Sequence, residues 1–389
     1  MTASTSGTRS ASTPPAGPDR IGPAWTGWAL SAAATLVWLV AVISTGMLGR
    51  VAGHWESAAT MAAGSFLAGS SPEGGGAVAF PVFTKALQVP APVARTFGLS
   101  IQAVGMTMAV ASILLARRPV HGRAVVVGSL AAVTAFLIGL GLLGDPDALF
   151  WPSIVPGAWV KATFSIVLAT TSILMVRHLA RARAGDEPSP MGWTWRLDLV
   201  VAVAAAAGGL LSSMTGTGAN IMLFLALVVV ADVRPKVALP SAIMVMAAVS
   251  VVGLVVLGLF DGQLDVAVVG DQVVSVGGRP VSLMAAETDL LGLWLAAAPV
   301  VVWGAPLGSL VASLARERQL VRFVAALAVI EVVTTFLLVE ELRRQPALII
   351  YLVGGLVLLP ASFMALRRRR HRLLGSVGSP TGIERSLSP

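Results

Sequence analysis

Long apolar runs are the feature of this sequence that most constrains its fold. Runs of about 20 apolar residues cross a bilayer as helices. Twelve apolar segments follow one another here, at 28–48, 57–69, 75–89, 93–116, 123–143, 158–177, 197–213, 218–231, 236–260, 289–315, 320–340 and 346–366. Only 12% of the residues are charged, against about 25% in soluble proteins. The sequence therefore predicts an all-α polytopic membrane protein.

Four of these segments are too short for ordinary spanning helices. They form two pairs, 57–69 with 75–89 and 197–213 with 218–231, and a stretch rich in Gly, Ser and Thr separates the members of each pair. Non-helical backbone is tolerated at membrane depth only where protein or a water-lined cavity satisfies its polar groups. The sequence therefore predicts two hydrophobic hairpins interrupted near their turns.

The charges between the segments predict the orientation of the chain. Basic loops face the cytoplasm, and the basic positions are Arg117, Arg118, His121, Arg123, Arg177, Arg181, Arg183, Arg316, Arg318 and Arg367–Arg370. The acidic connections, which we expect outside, contain Asp145, Asp147, Asp261, Asp265, Asp271 and Glu287. Twelve crossings with both termini in the cytoplasm satisfy every loop. The same rule accounts for the net charge of +8. We therefore expect the chain to lie in the lipid bilayer of the cell membrane and to bind no nucleic acid.

The domain organisation follows from these assignments. Residues 1–27 are rich in Ser, Thr, Pro and Gly and are expected to form a disordered cytoplasmic tail. Residues 28–366 form the transmembrane domain, and 367–389 a basic cytoplasmic tail. The extracytoplasmic stretch 261–288 has short apolar runs separated by Gly-Asp and Gly-Gly, a pattern typical of a small β-hairpin. An irregular loop is the alternative.

The two interrupted hairpins predict an internal repeat. Segments 57–116 and 197–260 share one plan, in which a Gly-rich break, an apolar run and a long span follow each other. The copies are offset by five crossings, and an odd offset means opposite orientation in the membrane. We therefore predict an inverted repeat, with repeat one at about 57–177 and repeat two at about 197–340. This architecture recurs in secondary transporters, which bind their substrate where the breaks meet.

The residue types at the breaks predict the charge of the ligand. Helices that begin at a break direct free N–H groups and a partial positive charge toward whatever lies there. Glycine permits close approach to the backbone, and hydroxyl groups add donors. We therefore expect a small anionic substrate, bound by Ser71, Gly74, Gly75, Gly76, Ser213, Thr215, Gly216, Thr217, Gly218 and Asn220.

Two further polar residues belong to the predicted substrate site. Arg95 lies at the outer start of a span, with Gln102 on the same helical face, and a guanidinium beside an amide can hold an oxyanion. The alternative for Arg95 is an interfacial side chain that reaches toward lipid headgroups. Lys85 is interpreted chiefly as an interfacial cation, and a place in the outer vestibule is its alternative.

Two carboxylates are candidates for proton coupling, because an ionisable group in a membrane is costly and usually functional. Glu73 lies within the first break, and Glu331 lies in the middle of an apolar segment. The alternatives are a helix cap for Glu73 and a structural ion pair with a basic residue of another helix for Glu331.

The breaks also carry a family resemblance. Ser71–Pro81, with the sequence SPEGGGAVAFP, resembles the Gly-rich signature of the sulfite exporter TauE/SafE family. Thr215–Asn220, TGTGAN, is similar to its second-half counterpart. The resemblance extends over about 55–365 and implies a multi-span transporter for sulfite, sulfonates or related organosulfur anions, usually acting in export. Glu73 and Asn220 depart from the family pattern, which puts the substrate and the coupling ion in question.

The remaining composition narrows the function. The chain has no Cys and four scattered His residues, so disulfides, thiol chemistry and Fe–S clusters are excluded and no metal site or cofactor is expected. It has neither a Walker motif nor a nucleophile–base constellation, so we expect no enzyme. The alternatives to a sulfur-anion transporter are a permease or channel for another anion such as a carboxylate, a membrane-embedded enzyme, or a structural protein. The sequence leaves the oligomeric state open.

Overall fold

The structure is a computed structural model that describes residues 25–87, 89, 91–145, 151–152, 154–183, 193–265, 274–276, 279–281 and 289–375. Its helices are α1 Trp25–Ser44, α2 Leu48–Ala52, α3 Trp55–Ser70, α4 Gly76–Pro81, α5 Ala91–Leu115, α6 Gly122–Leu143, α7 Gly157–Arg183, α8 Trp195–Thr215, α9 Ala219–Leu225, α10 Pro235–Gly253, α11 Leu290–Leu314, α12 Glu317–Leu338, α13 Glu340–Arg344 and α14 Pro346–Gly375. Within the described ranges, nine helices are long and apolar enough to cross a membrane. The predicted all-α polytopic fold is confirmed.

Three helices continue into π-helical turns, at Val82–Ala86 after α4, Ala226–Val230 after α9 and Leu254–Phe260 after α10. The order of a helix, a break, a short helix, a π turn and a long helix therefore occurs twice along the chain. α8 is longer than the predicted segment 197–213, because its helix runs from Trp195 to the break.

The non-helical parts are small. Strands β1 Gly144–Asp145 and β2 Trp151–Pro152 pair antiparallel, as do β3 Val274–Val276 and β4 Arg279–Val281. The last pair falls within the predicted hairpin at 261–288, most of which lies outside the described residues, so that hairpin stays a prediction. The predicted tails lie outside the described residues for 1–24 and 376–389.

The first hairpin packs through glycine. α3 lies along α11, and a Cβ on Gly69 would overlap the backbone of Ala305 and Ser309. Gly308 meets the backbone of Phe66 in the same way. Small residues let membrane helices approach closely enough for extensive van der Waals contact. The glycines thus fix α3 against α11 with no room for a larger side chain.

The second hairpin also packs through glycine. α8 lies along α6, where Gly209 meets the backbone of Ala132 and Gly139 meets the side chain of Ser213. Ser57 near the start of α3 donates to the Leu293 carbonyl near the start of α11 at 2.8 Å, while Gly69 meets Ser309, so α3 runs parallel to α11. The contacts of α8 with α6 also rise together in residue number, so these two helices are parallel as well.

Ion pairs mark the two ends of the helix bundle. At one end, Asp289 accepts hydrogen bonds from Arg50 Nε at 2.5 Å and Nη2 at 2.6 Å, which link the start of the first hairpin to α11. Asp289 also accepts from the Gly292 N–H of α11 at 2.9 Å. At the other end, Arg123 of α6 pairs with Asp198 of α8 at 2.5 Å.

These contacts give the directions of the two hairpins. Leu99 of α5 packs on Gly253 of α10, while Thr96 Oγ1 donates to Gln263 Oε1 at 2.6 Å. α5 and α10 are therefore antiparallel. Arg118, which follows α5, donates to Ser309 Oγ near the end of α11 at 2.7 Å, so α11 and α3 run parallel to α5. Because α6 and α8 begin at the end where α5 finishes, α3 and α8 begin at opposite ends of the bundle. The inverted repeat stays a prediction, with which these directions agree.

Candidate functional site

The breaks of the two hairpins meet inside the helix bundle. A Cβ on Gly76, the first residue of α4, would lie 2.9 Å from Oγ1 of Thr217 in the second break. A Cβ on Gly74 would lie 2.7 Å from Nδ2 of Asn220 and 3.7 Å from Oε1 of Gln102. The structure therefore brings together residues of both predicted breaks and one polar residue of α5.

The backbone at the breaks requires glycine at three positions. Gly74 has φ +70°, Gly216 has +78° and Gly218 has +134°. Side chains other than that of glycine are strained in this region. Gly216 also leaves no room for a Cβ, because the carbonyl oxygen of Arg95 would lie 2.6 Å away. These glycines shape the turns that allow the two hairpins to touch.

We call the place where the two breaks meet, at Gly74, Gly76, Gln102, Thr217 and Asn220, the crossing. Several polar atoms there are buried without a hydrogen-bond partner among the described residues. They are both carboxylate oxygens of Glu73, both amide atoms of Asn220, Oε1 of Gln102 and Oγ1 of Thr217. These four side chains are at most 3% exposed. Buried polar groups are nearly always hydrogen-bonded, so a concentration of unpartnered atoms is typical of a ligand site.

Gln102 is oriented by two backbone carbonyls. Its Nε2 donates to the Gly98 carbonyl at 3.0 Å and to the Gly216 carbonyl at 2.9 Å. Both amide hydrogens are engaged, and a reversed amide would place Oε1 against two carbonyl oxygens. Gln102 therefore presents an acceptor to the crossing, which differs from the donor role given to it in the predicted oxyanion site.

Arg95 is fully buried in the protein, which is inconsistent with a lipid-facing side chain. Its Nη1 donates to the Ser213 carbonyl at 3.3 Å, and its charge interacts with Asp261. Because its carbonyl also lies against Gly216, Arg95 borders the second break. Contact with a substrate stays a prediction for this residue.

The other predicted hydroxyl groups are engaged within their own segments. Ser71 donates to the Leu67 carbonyl at 3.2 Å, Ser213 to the Leu210 carbonyl at 2.7 Å and Thr215 to the Thr217 carbonyl at 2.8 Å. They hold the ends of α3 and α8. Gly75 and Gly218 pack tightly against other parts of their own hairpins, at Gly64 and Leu211 respectively.

Glu331 makes a buried ion pair with Lys85. The Lys85 Nζ donates to Glu331 Oε1 at 2.7 Å and to Thr335 Oγ1 at 2.7 Å. Ser165 of α7 donates to the same carboxylate at 3.0 Å. Lys85 is 7% exposed, so the structure favours the ion-pair interpretation of Glu331 and differs from the interfacial interpretation of Lys85.

A cavity of about 590 Å³ reaches the first break from the end of the bundle at which α10 begins. Gly69, Ser70 and Pro72 line its inner part. Among the described residues, its wall carries four basic side chains and no acidic one, and the basic residues are Arg118, His178, Arg234 and Lys236. The Ser70 hydroxyl has no partner among the described residues. This cavity offers an anion a positively charged path to the first break.

Sequence reasoning missed two features of the site. Arg234 and Lys236 were given no place in the predicted substrate site, and only the packing of the chain brings them into one cavity with residues of the first hairpin. Ser212 caps the second short helix, since its Oγ accepts from the Ala219 N–H at 3.1 Å. Local spacing gives no signal for either role, because each depends on contacts between segments.

Comparisons with known proteins add one finding. The family model described as "Sulfite exporter TauE/SafE" matches residues 57–335. This range contains both hairpins and ends in α12. The search of curated proteins and the search of solved structures found no significant match.

Proposed function

The chain belongs to the sulfite exporter TauE/SafE family, a family of membrane transporters, and from that premise we propose that it is a secondary transporter of a small anion. The proposed substrate is sulfite, a sulfonate or another organosulfur anion, and the proposed direction is export. The family relation supports the class of substrate, and the residues of the two breaks support its negative charge.

One observation carries this proposal, namely that two glycine-rich breaks meet inside the bundle and that the first of them borders a basic cavity. The helical segments that begin at Gly76 and Ala219 run on through their π turns to Ala86 and Val230. Their N-terminal ends carry partial positive charge toward the crossing. The basic cavity wall is an independent feature of the same sign, because clefts lined by one charge raise the local concentration of counter-ions.

The geometry supports alternating access with the site open to the cytoplasm. The loops at this end carry the basic residues expected inside, so the cavity would collect its anion from the cytoplasm. On the opposite side, Thr96 and Gln263 join α5 to the outer end of α10, and Arg95 is buried beneath them. Export would require this side to open while the cytoplasmic cavity closes.

Glu73 is the stronger of the two proposed proton carriers. It is fully buried next to Gly74 and makes no ion pair within the described residues, whereas Glu331 is engaged by Lys85. We expect Glu73→Gln to remove the pH dependence of transport. Retained dependence in that variant, with loss in Glu331→Gln, would reverse this assignment.

Transport by the purified chain in proteoliposomes tests the function. Sulfite, sulfonates, sulfate and small carboxylates would each be loaded inside or outside, with and without a pH gradient. We expect a sulfur anion to move faster than in empty vesicles. Movement of carboxylates alone would favour the alternative of a permease for another anion, and movement of no anion would exclude both.

The basic cavity gives a second test. Arg234→Gln with Lys236→Gln should raise the KM for the anion from the cytoplasmic side by about tenfold or more at low salt, because focusing by charged clefts is worth about 10–10³ in association rate. The difference should shrink at high salt. The matched control is Arg343→Gln, an exposed position in α13, which should leave the KM unchanged. Equal KM values in the two variants would exclude a role for the cavity.

A further inference from the structure

The unpartnered atoms at the crossing include more acceptors than an anion can use. Glu73 contributes two carboxylate oxygens, and Gln102 and Asn220 contribute one amide oxygen each. Carboxylate and amide oxygens repel an anionic ligand and attract a cation or another donor. The crossing therefore contains a part whose chemistry is opposite to that of the basic cavity.

The amide of Gln102 has a fixed orientation and presents only its oxygen to the crossing. Both hydrogens of its amide are held by the carbonyls of Gly98 and Gly216, so its free Oε1 cannot exchange places with Nε2. That oxygen lies close to Gly74, as does Nδ2 of Asn220, whose Oδ1 belongs to the same amide group. Glu73 directly precedes Gly74 in the chain. The backbone of Gly74 thus connects the three side chains.

The charge of Glu73 also needs a proton or a counter-ion. An ionised carboxylate that is 0% exposed is costly unless it is paired, and no ion pair to Glu73 occurs in the described part of the chain. Arg95, the nearest cation along α5 to the second break, interacts with Asp261 and the Ser213 carbonyl. A ligand that brings positive charge to Glu73 would therefore bind favourably.

We propose that Glu73, Gln102 and Asn220 form a binding site for Na⁺, whose occupancy is coupled to that of the anion. The inference rests on the proposed function and adds a second ion to its site. Hard cations prefer carboxylate and carbonyl oxygens. Where helices are broken at membrane depth, the C-terminal ends of half-helices coordinate Na⁺ and the N-terminal ends face the anion. α3 and α8 both end at this crossing.

The arrangement explains how the two ions are coupled. Without a cation, the Glu73 carboxylate repels an anion that arrives at Ser70 and Pro72 on the cavity floor. Na⁺ bound at Glu73 neutralises that charge, so each ion increases the affinity of the site for the other. In this scheme Na⁺ and the proton assigned above compete for the same carboxylate.

Ion binding can be measured without transport. The full-length purified protein would be unfolded thermally in NaCl, KCl or choline chloride at equal ionic strength. Because a ligand that binds the folded state raises Tm in a saturable way, we expect Tm to rise with Na⁺ and to change little with K⁺ or choline. Equal Tm values in all three salts would overturn the proposal.

Variants then locate the site. Glu73→Gln should weaken the apparent Na⁺ affinity by about tenfold or more, because ligand charge sets cation affinity at oxygen sites. The matched control is Glu341→Gln, an exposed carboxylate in α13, which should retain the Na⁺ response. Retention of the response by Glu73→Gln would overturn the assignment.

Asn220→Asp keeps the test decisive if Glu73→Gln does not fold. It preserves the size of the side chain and adds a charged oxygen, so we expect half-maximal stabilisation at a Na⁺ concentration about tenfold lower. A purely structural asparagine would not tighten Na⁺ binding. An unchanged midpoint would exclude Asn220 and overturn the three-residue site.

Transport separates this inference from the function on which it rests. Na⁺ on the side from which the anion leaves should accelerate anion movement in proteoliposomes, and Glu73→Gln should abolish the acceleration. Anion transport that is driven by pH and indifferent to Na⁺ would overturn the Na⁺ site and leave the proposed function intact. Stabilisation by Na⁺ with no anion transport would support the Na⁺ site and overturn the proposed function.

Discussion

At the scale of single residues, the crossing depends on the absence of side chains as much as on their chemistry. Gly74 and Gly76 of the first break lie directly against Asn220 and Thr217 of the second. Each glycine lets the other break approach by the width of a methyl group. The polar atoms that the two breaks bring together are close enough to act as one site only because this space is left free.

Gly76→Ala tests this dependence. The added methyl group would overlap the side chain of Thr217, and overpacking of this kind costs about 1–3 kcal/mol. We expect a lower Tm and a marked loss of anion transport, because the breaks must separate. The control is Gly141→Ala in α6, where a Cβ meets no atom within 4 Å and better helix propensity should leave Tm unchanged or slightly higher. Equal effects of the two substitutions would contradict the close packing of the breaks.

The sequence could identify most residues of the crossing but not the partners of their polar atoms. Glu73, Gln102 and Asn220 stand out by type and spacing. The hydroxyls of Ser71, Ser213 and Thr215 look equally available in the sequence, yet each donates to a carbonyl of its own segment. Whether a Ser or Thr bonds to its own helix depends on rotamer and local backbone, and the sequence does not show either.

At the scale of elements, ion pairs connect the far end of each hairpin to a peripheral helix. Lys85, in the π turn after α4, pairs with Glu331 of α12 at 2.7 Å. Asp232, two residues after the π turn that follows α9, pairs with Arg367 of α14 at 3.2 Å. Both hairpins therefore carry an electrostatic connection at the end away from the crossing.

Lys85→Met should be strongly destabilising, because it leaves Glu331 buried without its cation. Breaking one side of a buried ion pair costs about 3–5 kcal/mol. The double variant Lys85→Met with Glu331→Leu removes both charges and should recover most of that loss. Thermal unfolding of the single and double variants gives the coupling energy. Additive losses in the double variant would show that the two residues do not stabilise each other.

The two hairpins could be predicted from the sequence, whereas the ion pairs at their far ends could not. Short apolar segments with glycine between them predict a break in a helix. The pairing of Lys85 with Glu331 joins residues that are 246 positions apart, and no local pattern indicates such a partner. The π turns were also not predicted, because their wider hydrogen bonding leaves no simple sequence signature.

At the scale of the whole molecule, the distribution of charged residues predicts the orientation of the chain in the membrane, which no single motif does. The basic residues of the cavity lie at the same end as the loops that the positive-inside rule places in the cytoplasm. The two hairpins turn back inside the bundle, since α5 runs parallel to α3 and begins near the end at which α3 begins. The number of predicted segments therefore exceeds the number of full crossings, without a change in the predicted side of any loop.

The orientation can be tested with single cysteines, because the chain has none of its own. Thr45→Cys, after α1, should react with a membrane-impermeant maleimide in intact cells. Ser313→Cys, at the cavity end of α11, should react only after permeabilisation. Both positions are accessible, since Thr45 and Ser313 are exposed. The opposite labelling pattern would invert the topology and, with it, the proposed access of the anion from the cytoplasm.

Side-chain hydrogen bonds attach α5 to the second break, and the first break has no matching attachment to α10 among the described residues. Gln102 and Arg95 both attach α5 to the second break, at Gly216 and Ser213. In the described part of the chain, no side chain of α10 makes a hydrogen bond to residues 71–75 in return. We therefore expect the second break to move with α5, so that in the proposed transport cycle the relative motion falls to the first hairpin.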